Sequence, residues 1–237
     1  MTLMEKVLFV DLDGTMARFY EHTNYLEKMY ERGYFANLRP YDSLVYAVQQ
    51  IALQKKMRVI ILSTYPGENR YAKEEKEIWL HINLPHGGYE EIIVPMHYSK
   101  PAEAEKYLGR KLGRNDYLLD DYTKNLKAWE KAGGTGIKCV NEVQGRVDKN
   151  SFTGFRISPE DDPSFIINTL NRLVFGNPEN EPCIMITTVL KGIVSRYYVS
   201  GAISRLNDRG VVFKTTDGRK VELPNMNLFD DFSIGLQ

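Results

Sequence analysis

Short apolar runs alternate with helical stripes through the first 141 residues. Residues 7–10, 57–62, 92–94, 117–119 and 136–140 carry little polar alternation, which is what strands of a parallel sheet covered on both faces require. They predict five buried strands. Between them, Leu44, Val48, Ile51 and Ala52 fall at i, i+4, i+7 and i+8, one face of a helix. Leu126 and Trp129 mark another helix, with Gly133-Gly134 as its stop, and Phe165, Ile166, Leu170 and Leu173 mark a third. Strands and helices in strict alternation predict an α/β fold with a doubly wound, Rossmann-like parallel sheet.

Three stretches break the alternation. Residues 16–41 follow the first strand directly and are rich in aromatics (Phe19, Tyr20, Tyr25, Tyr30, Tyr34, Phe35), predicting a small helical cap closed by Pro40 at the carboxyl end of that strand. Residues 143–154 read as a hairpin or irregular excursion. Residues 176–182, Gly-Asn-Pro-Glu-Asn-Glu-Pro, read as a linker. Beyond it, 184–190, 193–200, 211–215 and 220–223 predict short strands, with Asp217-Gly218 as a hairpin turn. The expected organisation is a core at 1–178, cap included, and a small β module at 183–237.

Composition narrows the classes of function. The chain has 237 residues, 43% hydrophobic and 26% charged, with Lys+Arg and Asp+Glu equal at 31. Balanced charge gives no global field to draw it to anionic lipid, and argues against nucleic acid as its partner. No signal-peptide core and no apolar run near the roughly 20 residues of a membrane span predict a cytoplasmic protein. Cys139 and Cys183 match no metal spacing and read as buried thiols; His22, His81, His86 and His97 are scattered and read as structural or surface residues.

Chemistry concentrates at Phe9-Val10-Asp11-Leu12-Asp13-Gly14-Thr15. An isolated Asp-x-Asp is usually a solvated turn. Behind a buried strand, two carboxylates on one face repel unless a cation or proton lies between them. Gly14 lets the backbone turn sharply and Thr15 can brace the loop. This suits a carboxylate nucleophile with an acid/base partner beside a metal ion. Ligands of open α/β sheets bind beyond the carboxyl ends of the strands. Ser63-Thr64, Lys100 and Asp120-Asp121 follow the second, third and fourth predicted strands, so a hydroxyl and a cation would join the carboxylates at one edge.

The segments 9–15, Leu62-Ser63, Lys100 and Leu118-Leu119-Asp120-Asp121 resemble, in order, the four signature motifs of the haloacid dehalogenase superfamily of phosphohydrolases. Residues 30–40 and 119–126 further resemble the cytosolic-type 5′(3′)-deoxyribonucleotidases and their bacterial and phage-like relatives. The resemblance spans about residues 5–175 and leaves the tail uncovered.

It implies Asp11 as nucleophile, forming an aspartyl-phosphate, and Asp13 as general acid and then base. Mg²⁺ would be held by an Asp11 oxygen, the Asp13 carbonyl and Asp120, with Asp121 joining through a bound water or orienting Lys100. Ser63, and Thr64 as a second hydroxyl, would donate to the phosphoryl group, and Lys100 would balance its charge. Lys76 and Lys111 compete with Lys100, which is preferred because it opens the helix leading to the fourth strand. The implied activity is a Mg²⁺-dependent phosphomonoesterase, a 5′-nucleotidase acting on (deoxy)nucleoside monophosphates, with Phe35 expected to face the base; ordinary packing of the cap is the alternative for Phe35. Other readings are a phosphatase for a sugar phosphate or similar small ester, and a non-catalytic protein that binds a phosphorylated ligand. Oligomeric state and the role of the tail are left open.

Overall fold

Val7–Val10 (β1) is buried along its whole length because it is the centre of a six-stranded sheet. The computed structural model describes residues 5–141 and 152–176, together with the strands at 183–190, 193–207, 210–215, 220–224 and 231–236. β1 pairs with β2 (Arg58–Tyr65) on one side and β4 (Asp116–Asp120) on the other. β3 (Glu90–Pro95) lies outside β2, while β5 (Thr135–Cys139) and β6 (Phe155–Ile157) lie outside β4. Every pairing in this sheet is parallel. The chain builds outward from β1 in one direction, then restarts at β4 and builds in the other. The reversal leaves a crevice between β1 and β4 at their carboxyl ends.

Alternate residues of β1 feed two separate cores. Leu8 and Val10 pack with α2 (Asp42–Gln54), α3 (Ala72–Asn83) and α6 (Pro163–Phe175). Val7 and Phe9 pack with α4 (Lys100–Leu108) and α5 (Thr123–Lys131), where the Phe9 ring meets Trp129 edge-on at 4.8 Å. Both faces are covered, as the unbroken apolar runs require. The predicted stripe Leu44, Val48, Ile51 and Ala52 is the buried face of α2. α5 gives way at Gly133, whose φ of 104° lies where side-chain-bearing residues are strained.

Residues 16–41 form a small cap carrying one helical turn, α1 (Tyr25–Lys28), and a 3₁₀ turn at Phe35–Asn37. Its ends are pinned where Ala17 bridges both Asp13 and Pro40. The helix α3 clasps it from the side. The buried Glu75 carboxylate accepts the Gly33 N–H at 2.5 Å and the Phe35 N–H at 3.1 Å. Trp79 Nε1 donates to the Leu38 carbonyl at 2.7 Å and Asn69 Nδ2 to that of Met29 at 2.9 Å.

The sheet has a sixth strand, β6, that the sequence pattern did not predict. Phe155-Arg156-Ile157 is three residues long at an edge, and only Ile157 is fully buried. Residues 142–151, which take in most of the stretch expected to be irregular, lie outside the described residues, as do the linker from 177 to 182 and Asp217-Gly218. β7 (Cys183–Leu190), β8 (Ile193–Asn207), β9 (Gly210–Thr215), β10 (Lys220–Pro224) and β11 (Asp231–Leu236) form a second, antiparallel sheet in the order β10-β9-β8-β7-β11. β8 runs on past Ser200, where the sequence pattern ended it, through a register shift between Ile203 and Arg205, and β11 is additional. Among the described residues no helix is long and apolar enough to cross a membrane.

β8 lies beside α6 and β6, while all six strands of the parallel sheet and the helices that cover it lie before residue 177, as do both cores among the described side chains. A chain ending at residue 180 is therefore expected to keep a single cooperative thermal transition by circular dichroism. Loss of that transition would make the second sheet part of the core.

Candidate active site

β1 and β4 end level with each other. Val10 faces Leu119 in the register, and the Asp11 N–H donates to the Leu119 carbonyl at 2.9 Å. Asp11 and Asp120 therefore emerge side by side from strands roughly 4.8 Å apart. Lys100, the first residue of α4, answers their repulsion. Its Nζ lies 2.7 Å from Asp11 Oδ1 and 2.6 Å from Asp120 Oδ2, and the side chain is 4% exposed. Burial opposes the ammonium charge, but the two carboxylates outweigh it and hold the amine above its usual range. Asp120 is fixed further by the Tyr122 N–H at 2.7 Å and Asn125 Nδ2 at 2.9 Å.

Asp121 turns back toward the same crevice. Its N–H donates to Thr15 Oγ1 at 3.1 Å, so Thr15 braces the loop. Its Oδ2 accepts from Asn141 Nδ2 at 3.0 Å, and that amide also donates to the Gly14 carbonyl at 2.6 Å. Gly14 has φ 77°, and a Cβ there would fall 2.5 Å from Asp121 Oδ2 and 2.6 Å from the Tyr20 ring. No other residue permits this approach.

Asp11, Asp120 and Asp121 each place a carboxylate oxygen within 4.8 Å of the others. Burial pushes the Asp11 carboxyl well above its ordinary value; Lys100 opposes this, while Asp120, Asp13 and Asp121 reinforce it. Burial, with Asp120 beside it, pushes Asp121 up to about 7. Three converging hard oxygen donors, two of them reluctant to carry charge unaided, fit a hard divalent cation. The triad could hold a metal ion.

A second cluster forms around Asp13. Lys76, fully buried on α3, bonds Asp13 Oδ2 and donates to Ser63 Oγ at 3.0 Å. Its ammonium lies 4.5 Å over the Phe35 ring. Asp13 Oδ1 is buried with no partner among the described residues, an unsatisfied acceptor.

The structure thus gathers Asp11, Asp13, Ser63, Lys100, Asp120 and Asp121 at one sheet edge. Lys111 is remote in character: it is 89% exposed and paired with Glu105 at 2.8 Å. Thr64 is half-buried one position beyond Ser63, level with Val94, and its hydroxyl has no hydrogen bond to either cluster. Phe35 packs within the cap. It flanks the site but is 2% exposed, with Phe19 stacked on it at 6.2 Å and Lys76 over its ring. This burial favours ordinary packing of the cap, the alternative for Phe35. The four histidines are exposed and Cys139 is a buried free thiol; the Cys183 side chain lies outside the described residues.

The sequence offers Lys76 as a competitor of Lys100 for one role, whereas the site contains both. Its signal was the stripe Ala72, Glu75, Lys76, Trp79 and Leu80, in which two charges occupy the inward face of a helix. Asn141 and Tyr20 carry no local signal.

No family model matches the chain. It is 26% identical over 129 residues, half of this chain and 68% of the relative, to a protein of Vibrio phage KVP40 provisionally named a 5′(3′)-deoxyribonucleotidase. Solved structures similar to this chain include D,D-heptose 1,7-bisphosphate phosphatase from Burkholderia thailandensis, at 10% identity and TM-score 0.43 over 59% of this chain and 80% of that one. Another is a provisionally named haloacid dehalogenase-like hydrolase from Burkholderia xenovorans LB400, at 11% identity and TM-score 0.45 over 72% and 99%.

The raised Asp121 carboxyl makes a pH prediction for the metal-free protein. The folded state binds this proton up to about 7, whereas the ordinary value is 3.8. The folded state therefore holds the extra proton in between, and stability fully present below about 3.8 is lost as pH rises through about 7. In chelator, Asp121→Asn is expected to melt above the unsubstituted protein at pH 8, with the gap narrowing as pH falls toward 4. A gap independent of pH would show that Asp121 does not titrate in this range.

Proposed function

We propose that the chain is a Mg²⁺-dependent phosphomonoesterase that works through an aspartyl-phosphate and acts on (deoxy)nucleoside monophosphates. The observation that carries this is the pairing of two clusters across one crevice: Asp11 locked to Lys100 beside Asp120 and Asp121, and Asp13 locked to Lys76 beside Ser63. The first suits attack on phosphorus, the second suits proton transfer.

Asp11 would hold its place through Lys100 and give an electron pair to phosphorus as the bond to the ester oxygen breaks. Asp13, two residues on, would pass a proton to that departing oxygen. In the second half it would take a proton from water while the water oxygen attacks phosphorus and the Asp11–phosphorus bond breaks. Mg²⁺, held by Asp11, Asp120, Asp121 and the Asp13 carbonyl, would supply positive charge against the phosphoryl oxygens. Ser63 Oγ–H, Lys76 and Lys100 would add fixed donors around the transferring group, where charge stabilisation dominates. The nucleotide part of the reading is supported by the name of the phage relative and by the aromatic cap beside Asp13. A sugar phosphate or similar ester would use the same chemistry.

Hydrolysis of deoxy- and ribonucleoside 5′- and 3′-monophosphates, sugar phosphates and p-nitrophenyl phosphate with Mg²⁺ tests both levels of this reading. Turnover that disappears in Asp11→Asn supports the enzyme; a folded protein that binds phosphate esters without turning any over supports the non-catalytic alternative. Asp13→Ala is expected to lower turnover by about 10²–10⁴-fold while calorimetry shows Mg²⁺ still bound. Near-normal turnover in that variant would remove Asp13 from the mechanism.

The burial of Phe35 changes what its removal should do. Phe35→Ala takes away the ring beneath the Lys76 ammonium and the partner of Phe19. Large aromatics in cores contribute about 3–5 kcal/mol against Ala, so the melting temperature should drop. Nucleotide and p-nitrophenyl phosphate turnover should fall together. A loss confined to nucleotide KM would instead restore Phe35 as a base-facing residue.

A further inference from the structure

Asn141 ties the turn after β1 to the turn after β4, although it belongs to neither. It lies two residues past β5, where the Val140 N–H donates to the Ile157 carbonyl at 2.8 Å and anchors the backbone to β6. Its Nδ2 donates to the Gly14 carbonyl at 2.6 Å and to Asp121 Oδ2 at 3.0 Å. A carbonyl can only accept, so the first bond fixes which way the amide faces, and the two bonds use both of its protons. Asp121 Oδ2 rests against Gly14, in the space that a Cβ there would fill. The Gly14 N–H donates to the Ala17 carbonyl at 2.8 Å. That bond orients the planar Asp13–Gly14 peptide, and with it the Asp13 carbonyl. Gly14 is thus held at its N–H by Ala17 and at its C=O by Asn141. The neighbours of Asn141 touch the same two turns: Cys139 Sγ lies 3.9 Å from the Thr15 carbonyl, and Lys138 Nζ bonds the Asp121 carbonyl.

We propose that Asn141 is a positioning residue that sets the cation selectivity of the site, favouring Mg²⁺ over a larger divalent cation such as Ca²⁺. This rests on the reading that Asp11, Asp120, Asp121 and the Asp13 carbonyl hold Mg²⁺. Two of those donors, the Asp121 carboxylate and the Asp13 carbonyl, come from the turns that Asn141 joins. Mg²⁺ accepts little departure from an octahedron of oxygens at about 2.0–2.1 Å, whereas Ca²⁺ takes about 6–8 oxygens in a pliant arrangement. A clamp that fixes donor directions therefore matters more to Mg²⁺. Groups that orient metal-ligating side chains typically contribute about 10–100-fold in metal affinity.

The test uses the full chain with Mg²⁺ or Ca²⁺ alone, without substrate. Calorimetry on Asn141→Ala is expected to show Mg²⁺ affinity about 10-fold weaker and Ca²⁺ affinity less reduced, so that the ratio of the two moves toward Ca²⁺. Asn141→Asp keeps nearly the same shape and puts acceptors where Asn141 has donors, which makes it the second variant should Asn141→Ala not fold. Its added charge attracts both cations, so the ratio remains the readout, and it is expected to move the same way. Melting curves in chelator show that each variant is folded. Unchanged Mg²⁺ affinity in Asn141→Ala, or equal losses for Mg²⁺ and Ca²⁺, overturns the inference, makes Asn141 a structural residue only, and leaves the phosphatase reading intact. If the unsubstituted protein binds no Mg²⁺ at all, the metal reading falls and the inference falls with it.

Discussion

Lys100 between Asp11 and Asp120 is the interaction on which the site depends. The parallel register puts two carboxylates level on neighbouring strands, with Asp11 6% exposed and Asp120 fully buried. Taking either out of water as an anion is expensive, and removing one partner of such a buried set typically costs about 3–5 kcal/mol. The arrangement stands because one ammonium touches both carboxylates, and because the Tyr122 N–H and Asn125 supply further donors to Asp120. Lys100 can reach them because it opens α4 directly after the loop from β3, at the sheet edge where β1 and β4 end. Topology brings the charges together, and the charges then fix where α4 must start.

The helix α3 does a related job for the cap. Glu75 and Lys76 are consecutive, both buried, and face different targets: Glu75 accepts the Gly33 and Phe35 N–H groups, and Lys76 bonds Asp13 and Ser63. The cap backbone and the Asp13 carboxylate are therefore held by neighbouring residues on one helix. Phe35 closes the gap between them, since its N–H is held by Glu75 and its ring by the Lys76 ammonium. The cap is thus fastened to α3 at several points.

What the sequence reveals follows from how local each signal is. The run before Asp11 announces both a buried strand and its exit at the site, because apolar patterning and Gly14-Thr15 sit within ten residues. Lys100 and Asp120-Asp121 are legible through their place after strands. β6 is not, since three residues at a sheet edge carry too little periodicity. Lys76 left a trace, a charge on the inward stripe of an amphipathic helix, but the same charge would look ordinary on a solvated face. Phe35 was legible as a cap aromatic near the site, while its burial under Phe19 and Lys76 depends on contacts across the fold. Tyr20 and Asn141 acquire meaning only from the close approach at Gly14, more than 100 residues of chain away from Asp121 and Asn141.

The charges of the crevice also explain why a cation and a phosphate would bind there together. Four carboxylates, Asp11, Asp13, Asp120 and Asp121, stand against three ammonium groups: Lys76, Lys100 and Lys138, whose Nζ bonds the Asp121 carbonyl and Thr123 Oγ1 at 2.9 Å. With all ionised, the cluster carries one negative charge in excess. Burial resists that excess by pushing Asp11 and Asp121 toward their neutral forms. A divalent cation would reverse the sign and leave one positive charge in excess, so both carboxylates could stay ionised and an anion would meet attraction. The nucleophile assigned to Asp11 must be a carboxylate to attack, so the ion that permits its charge also prepares the crevice for a phosphate ester. Removing Lys100 or Lys76 would shift this balance back by one charge, each at a different carboxylate. The two lysines therefore act at separate places in one field: Lys100 on the Asp11 and Asp120 carboxylates, and Lys76 on the Asp13 carboxylate.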